Sequence, residues 1–165
     1  MNGAQMLLAA PEFWVLVMAC VVMIVDLFLR EERRGIIHML AMLTVIFAAI
    51  ITLRGGYVLD ASQSALAFEG HFIRDRMGDV LKVFSFVTMG LIFTYSKFYL
   101  RNFNMFRADF FTLSLFALLG VMLLISANSM LMIYLGLELI SLSVYALVAF
   151  DRNNGKNKNK PFSND

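Results

Sequence analysis

Five long apolar runs, each bounded by charges, prolines or glycines, dominate the chain: Phe13 to Leu29, Ile36 to Leu53, Gly78 to Tyr99, Phe110 to Ala127 and Met130 to Phe150. The shortest is 17 residues and none alternates apolar with polar positions, so all five read as helices able to cross roughly 30 Å of hydrocarbon rather than as strands. Pro11 and Glu12 suit the start of the first, because a proline costs no hydrogen bond there and an acid meets the positive end of the helix dipole. Arg30, Glu31, Glu32, Arg33 and Arg34 stop it, and Arg54, Gly55 and Gly56 stop the second. The segment Tyr57 to Met77 mixes Asp60, Ser62, Gln63, Glu69, His71, Arg74, Asp75 and Arg76, and reads as an extramembrane loop. Only Asn128 and Ser129 separate the fourth run from the fifth, which predicts a tight antiparallel helical hairpin.

Composition excludes the main alternative. The 165 residues are 60% hydrophobic and 16% charged, with mean hydropathy +0.75, against roughly 45–50% and 25% in soluble domains. A soluble enzyme is therefore excluded, and the excess apolar surface faces a lipid bilayer. The fold class is all-α, a polytopic membrane protein of about five transmembrane helices. A net charge of +2 gives no ground for a nucleic-acid partner. Cys20 alone provides no internal disulfide. With only His38 and His71 besides, a protein-ligated metal centre is not expected.

The distribution of charge orients the chain. Ten of the 14 Lys and Arg fall on one side: Arg30, Arg33, Arg34, Lys97, Arg101, Arg107, Arg152, Lys156, Lys158 and Lys160. Arg54, Arg74 and Arg76 fall on the other, and the positive-inside rule then places the N terminus outside and the tail in the cytoplasm. Phe93, Tyr95, Phe98 and Tyr99 read as an interfacial aromatic belt. Val17 to Cys20 loosely resembles a lipoprotein cleavage site, but no Lys or Arg precedes it and the apolar run continues, so the segment is read as a span. Residues 153–165 are polar and rich in Lys and Asn, and are expected to be disordered.

Ionisable groups inside hydrocarbon are the candidates for chemistry. Glu138 stands eight residues into the fifth run, roughly 12 Å from its start at ~1.5 Å per residue. Tyr134, Ser141 and Tyr145 lie at i−4, i+3 and i+7, so the four form one polar stripe around a buried carboxyl, able to hold water and relay protons. Desolvation favours the neutral acid and a facing cation the carboxylate, a competition that makes a switch. Gly136 and Ser143 would let a neighbouring helix approach closely. Lys82, a weaker candidate, is about one turn inside its span, where it is read as snorkelling to the interface and pairing with Asp79 at i−3. Asp26 reads as an interfacial anchor, and Glu12 and His38 as solvated helix ends. The 12 Met and 16 Phe read as packing and lipid-facing residues.

The run Tyr134-Leu-Gly-Leu-Glu138-Leu-Ile-Ser-Leu-Ser-Val-Tyr-Ala-Leu-Val148 resembles the fifth transmembrane helix of NADH-quinone oxidoreductase subunit N, the antiporter-like subunit of bacterial respiratory complex I. Pro11-Glu-Phe, Val25-Asp-Leu-Phe-Leu29, Asp79-Val-Leu-Lys-Val-Phe84 and Asp109-Phe-Phe-Thr-Leu-Ser-Leu-Phe-Ala-Leu-Leu-Gly120 are similar to it in order and spacing. The resemblance covers roughly residues 5 to 152. It implies the first part of an antiporter-like fold of about fourteen helices built with inverted repeats. It implies a bacterial inner-membrane subunit that binds no cofactor itself, with NADH, FMN, iron-sulfur clusters and quinone belonging to the wider complex. Its implied partners are the other membrane subunits of that complex and the lipid bilayer. Glu138 matches the family's helix-five glutamate, implied to pair with a lysine on a later, broken helix and to gate a proton half-channel. Lys82 and Asp79 match family positions without an implied catalytic role. Residues 153–165 depart from the family pattern, which implies a truncated or frameshifted product, or a fragment, not competent to pump alone. Two other readings remain open on the residues: a subunit of a multi-subunit cation/proton antiporter, and a membrane scaffold in which Glu138 is neutral and structural.

Overall fold

A computed structural model describes residues 8–28, 35–56, 65–67, 70–102 and 108–158. Five helices carry almost all of it: α1 (Ala10–Phe28), α2 (Gly35–Gly56), α3 (Arg76–Asn102), α4 (Ala108–Ile125) and α5 (Met130–Lys158). A small hairpin, β1 (Ala65–Ala67) and β2 (Phe72–Arg74), precedes α3. Five helices are thus present where five apolar runs were read, with ends within a few residues, except the last. α5 continues to Lys158, so residues 153–158 are helical where disorder was expected, and residues 159–165 lie outside the described residues. Four helices are long and apolar enough to cross a membrane, whereas the apolar part of α4, Asp109–Ile125, is shorter. At ~1.5 Å per residue its 17 residues reach roughly 26 Å, close to the lower limit for a span.

The core follows from helical periodicity. Val15, Ala19 and Val22 of α1 and Ile37, Ala41, Val45 and Ala48 of α2 line the inward faces, together with Phe86 and Phe93 of α3. They meet Phe111, Leu115, Leu118, Leu119 and Met122 of α4, the helix that touches all four others and sits at the centre. Phe93 is therefore a core residue, stacked edge-on against Phe111 at 5.3 Å, and not part of an interfacial belt. Tyr95 is exposed as expected, and the side chains of Phe98 and Tyr99 lie outside the described residues.

α4 and α5 form the expected hairpin and the most extensive helix contact in the chain. Glycine permits it: a Cβ at Gly136 would lie 3.0 Å from the Gly120 carbonyl oxygen, and one at Gly120 would lie 2.9 Å from that of Gly136. Small residues allow such backbone approach where water supplies no drive for association. Ser143, on the same side, is buried and donates to the Leu139 carbonyl at 2.8 Å. Thr44, Thr52, Ser85, Thr88, Thr94 and Ser114 likewise bond the carbonyl four residues earlier, which satisfies hydroxyls at membrane depth without a partner helix.

The segment read as an extramembrane loop holds the largest departure. β1 and β2 pair antiparallel, Ala65 opposite Arg74 and Ala67 opposite Phe72. β2 also pairs with the turn between α4 and α5: Ile73 N–H donates to Ser126 O and Asn128 N–H to His71 O, both at 3.0 Å. Gly70 takes φ +88°, a left-handed conformation that suits glycine at the bend, and its carbonyl accepts from Asn128 Nδ2 at 2.7 Å. The chain from Tyr57 to Ser64, with Phe68 and Glu69, lies outside the described residues, as do Arg30 to Arg34 and Arg107.

Candidate functional site

Two polar centres are built near the end of the bundle where the hairpin sits. Asp75 starts α3 by accepting from Gly78 N–H at 2.8 Å, a side-chain cap that orients its first turn. That turn points Asp79 and Lys82 into the bundle, but they do not pair with each other. Lys82 Nζ instead lies 2.6 Å from Oε1 of Glu12 on α1, with the two side chains 1% and 5% exposed. Ser126 Oγ donates to the same oxygen at 3.5 Å, and Lys82 Nζ stands 5.4 Å from the centre of the Phe72 ring. Asp79 is held by Arg74, whose Nε donates to both carboxylate oxygens at 3.1 and 3.2 Å. The guanidinium reaches onward to the carbonyls of Leu8 at 3.2 Å and Thr52 at 3.4 Å. Gly55 leaves it room, since a Cβ there would overlap the guanidinium.

These contacts correct three expectations. Lys82 is not snorkelling, because its side chain is buried against a carboxylate on another helix, which compensates its desolvation. Glu12 is not a solvated helix end, because α1 starts beneath Phe72 and the α4–α5 turn. His38 is also buried, with Nε2 3.2 Å from the Phe93 carbonyl and its ring edge-on to Phe111 at 5.4 Å. Asp26 is half-buried near the end of α1 and is engaged. The signal that could have found the ion pairs was present: Glu12 falls in the first turn of one apolar run, Asp79 and Lys82 in the first turns of another, and Arg74 just before it.

Glu138 lies in the middle of the apolar Met130–Ala149 span and is exposed on this chain, not buried. Tyr134 and Tyr145 are each 69% exposed and Ser141 is half-buried, so the stripe runs along the side of α5 that turns away from α4. Toward the bundle, Glu138 borders a groove of about 410 Å³ between α1, α4 and α5. Glu12 borders the same groove. Phe13, Leu16, Leu119, Leu135 and Leu139 are among the apolar side chains that make up the rest of the wall. Sequence periodicity found Glu138 and its stripe, but neither the groove nor the second carboxyl along it. Among the described residues no three His, Cys, Asp or Glu side chains converge as metal ligands.

No protein-family model matches the chain. It is 45% identical over 145 residues to NADH-quinone oxidoreductase subunit N of Acidithiobacillus ferrooxidans, covering 88% of this chain and 29% of the relative. The subunit N of Alkalilimnicola ehrlichii is 41% identical over 148 residues, 89% of this chain and 29% of its own length. That of Methylovorus glucosotrophus is 40% identical over 156 residues, 93% and 32%. The chain thus spans less than a third of the length of the curated relatives it matches.

Proposed function

Since the chain belongs, over these matched residues, to the NADH-quinone oxidoreductase subunit N family, we propose that it contributes to proton translocation in the membrane arm of a proton-pumping NADH:quinone oxidoreductase, with Glu138 as the group that takes up and releases the proton. The observation that carries this reading is the position of Glu138, a carboxyl at mid-depth of an apolar helix and exposed on this chain. An acid at that depth costs about 2.5–3.5 kcal/mol on insertion scales, a penalty that packing alone does not repay when a serine or asparagine serves to join helices. Tyr134, Ser141 and Tyr145 along the same side supply hydroxyls that hold water beside it.

In this reading the partners are the other membrane subunits of the complex and the lipid bilayer. The protein lies in the bacterial inner membrane, with its N terminus and the β hairpin outside. NADH, FMN, iron-sulfur clusters and quinone are held by the rest of the complex, and this chain binds none of them. Its residues act on protons only. The test is Glu138→Gln in a full-length subunit N that carries this sequence, assembled into the oxidoreductase and placed in sealed vesicles. Proton pumping driven by NADH is expected to be lost or reduced while the complex still assembles, and unchanged pumping refutes the role.

A further inference from the structure

A second open groove, of about 380 Å³, runs between α1 and α2 and is lined by Ala10, Phe13, Trp14, Val17 and Ile51. Its four α1 residues recur at i, i+3, i+4 and i+7, one helix face roughly 10 Å long at 1.5 Å per residue. Trp14 stacks on Phe47 of α2 with ring centres 4.8 Å apart, and Phe13, Val17 and Phe47 are exposed on this chain. On α2, Phe47, Ile51 and Arg54 fall at i, i+4 and i+7, so one stripe leads from the stacked ring to a guanidinium in the last turn. Arg74 bonds both the Leu8 and the Thr52 carbonyls, which fixes the end of α2 beside the start of α1. Arg54 therefore stands at the Ala10 end of the groove, where both spans leave the hydrocarbon. The described acids at that end are already engaged, Glu12 by Lys82, Asp79 by Arg74 and Asp75 by the Gly78 N–H. Arg54 is exposed and has no ion-pair partner among the described residues.

We propose that the α1/α2 groove binds an anionic phospholipid of the bilayer, with one acyl chain along Phe13, Trp14, Val17 and Ile51 and the phosphate held by Arg54. A phospholipid has the matching sequence of chemistries, an apolar tail in hydrocarbon and a negative head at the depth of the helix ends. The planar guanidinium is always charged and offers a phosphate two parallel N–H donors. An indole near a helix end suits the boundary between tail and headgroup. A further helix fits this surface poorly, because helices in lipid approach closely over small residues and Phe13, Trp14 and Phe47 are bulky. An uncharged lipid fills the groove but leaves Arg54 without a phosphate of net negative charge to neutralise, so the headgroup charge sets the preference. The bound lipid ties α1 to α2 from outside the bundle. None of this depends on the role given to Glu138.

The test uses the full-length subunit that carries this sequence, assembled in the oxidoreductase and placed in phosphatidylcholine vesicles. These contain a trace of phosphatidylglycerol or, in parallel, of phosphatidylcholine, each with a photoactivatable diazirine on an acyl chain. Peptide mass spectrometry reads the labelling of Phe13 to Val17 and of Ile51. The phosphatidylglycerol probe is expected to label these residues several-fold more than the phosphatidylcholine probe. That excess is expected to vanish when unlabelled phosphatidylglycerol is added, and in Arg54→Gln. Arg76→Gln removes another exposed cation at the same end of the bundle and is expected to keep the excess. Equal labelling by the two probes indicates an unselective lipid shell and overturns the proposal. Labelling by neither shows that protein covers the groove, which overturns it too. An excess that survives Arg54→Gln, or that is lost equally in Arg76→Gln, overturns the assignment of the phosphate to Arg54. If Arg54→Gln does not assemble, the two probes and the competition on the unsubstituted complex decide the matter.

Discussion

Lys82 Nζ and Glu12 Oε1 sit 2.6 Å apart inside the bundle, joining α3 to α1 across 70 positions of sequence. Neither charge reaches solvent, so each is the other's main compensation for leaving water. Removing one partner of a buried pair strands the other, at about 3–5 kcal/mol in proteins, whereas replacing both by apolar groups of similar size is often neutral. Lys82→Met is therefore expected to lower the thermal stability and yield of the membrane-inserted chain sharply. Glu12→Leu/Lys82→Met is expected to recover most of the loss, as read by thermal aggregation in detergent.

Gly136 and Gly120 let α4 and α5 approach until each backbone meets the other. Gly136→Leu places a side chain where Leu124 Cγ already stands 2.8 Å from the Cβ position. The helices must separate, at a cost of about 1–3 kcal/mol typical of overpacking. The melting temperature of this variant in detergent is expected to fall, and an unaltered melting temperature would contradict the close approach.

Arg74 ties the hairpin to α1, α2 and α3 through one planar guanidinium. Arg74→Lys keeps the charge but loses the fork that bridges Asp79, Leu8 and Thr52. Gly55→Ala tests the same arrangement from the other side, because the added methyl takes the space of the guanidinium. Both are expected to speed hydrogen exchange at Ile73 N–H, which is bonded to Ser126 O. Protection equal to that of the unsubstituted chain would show that the hairpin is held by its backbone bonds alone.

Orientation has a direct measurement. Asn128 is exposed in the turn between α4 and α5, next to the hairpin. In a Cys20→Ser background, Asn128→Cys is expected to react in intact cells, after outer-membrane permeabilisation, with a maleimide that does not cross the inner membrane. Labelling only after the inner membrane is opened would reverse the assignment drawn from the Lys and Arg distribution.

The five helices were legible in the sequence because partition into hydrocarbon depends on local composition, and runs of 17 or more apolar residues settle it without reference to the rest of the chain. The α4–α5 hairpin was legible for a similar reason, since two polar residues leave no other path. The stripe through Tyr134, Glu138, Ser141 and Tyr145 followed from helical spacing alone. Pairing was not legible. Whether Lys82 meets Asp79 one turn away or Glu12 on another helix depends on how α1 and α3 are rotated and how deep each sits, and no local pattern encodes that. The same holds for Arg74, which a polar segment hides until β2 folds back onto the α4–α5 turn and carries it under the bundle end. Only tertiary structure could place Glu12 and Glu138 on one groove, because the groove is the space left where three helices from distant parts of the chain fail to meet.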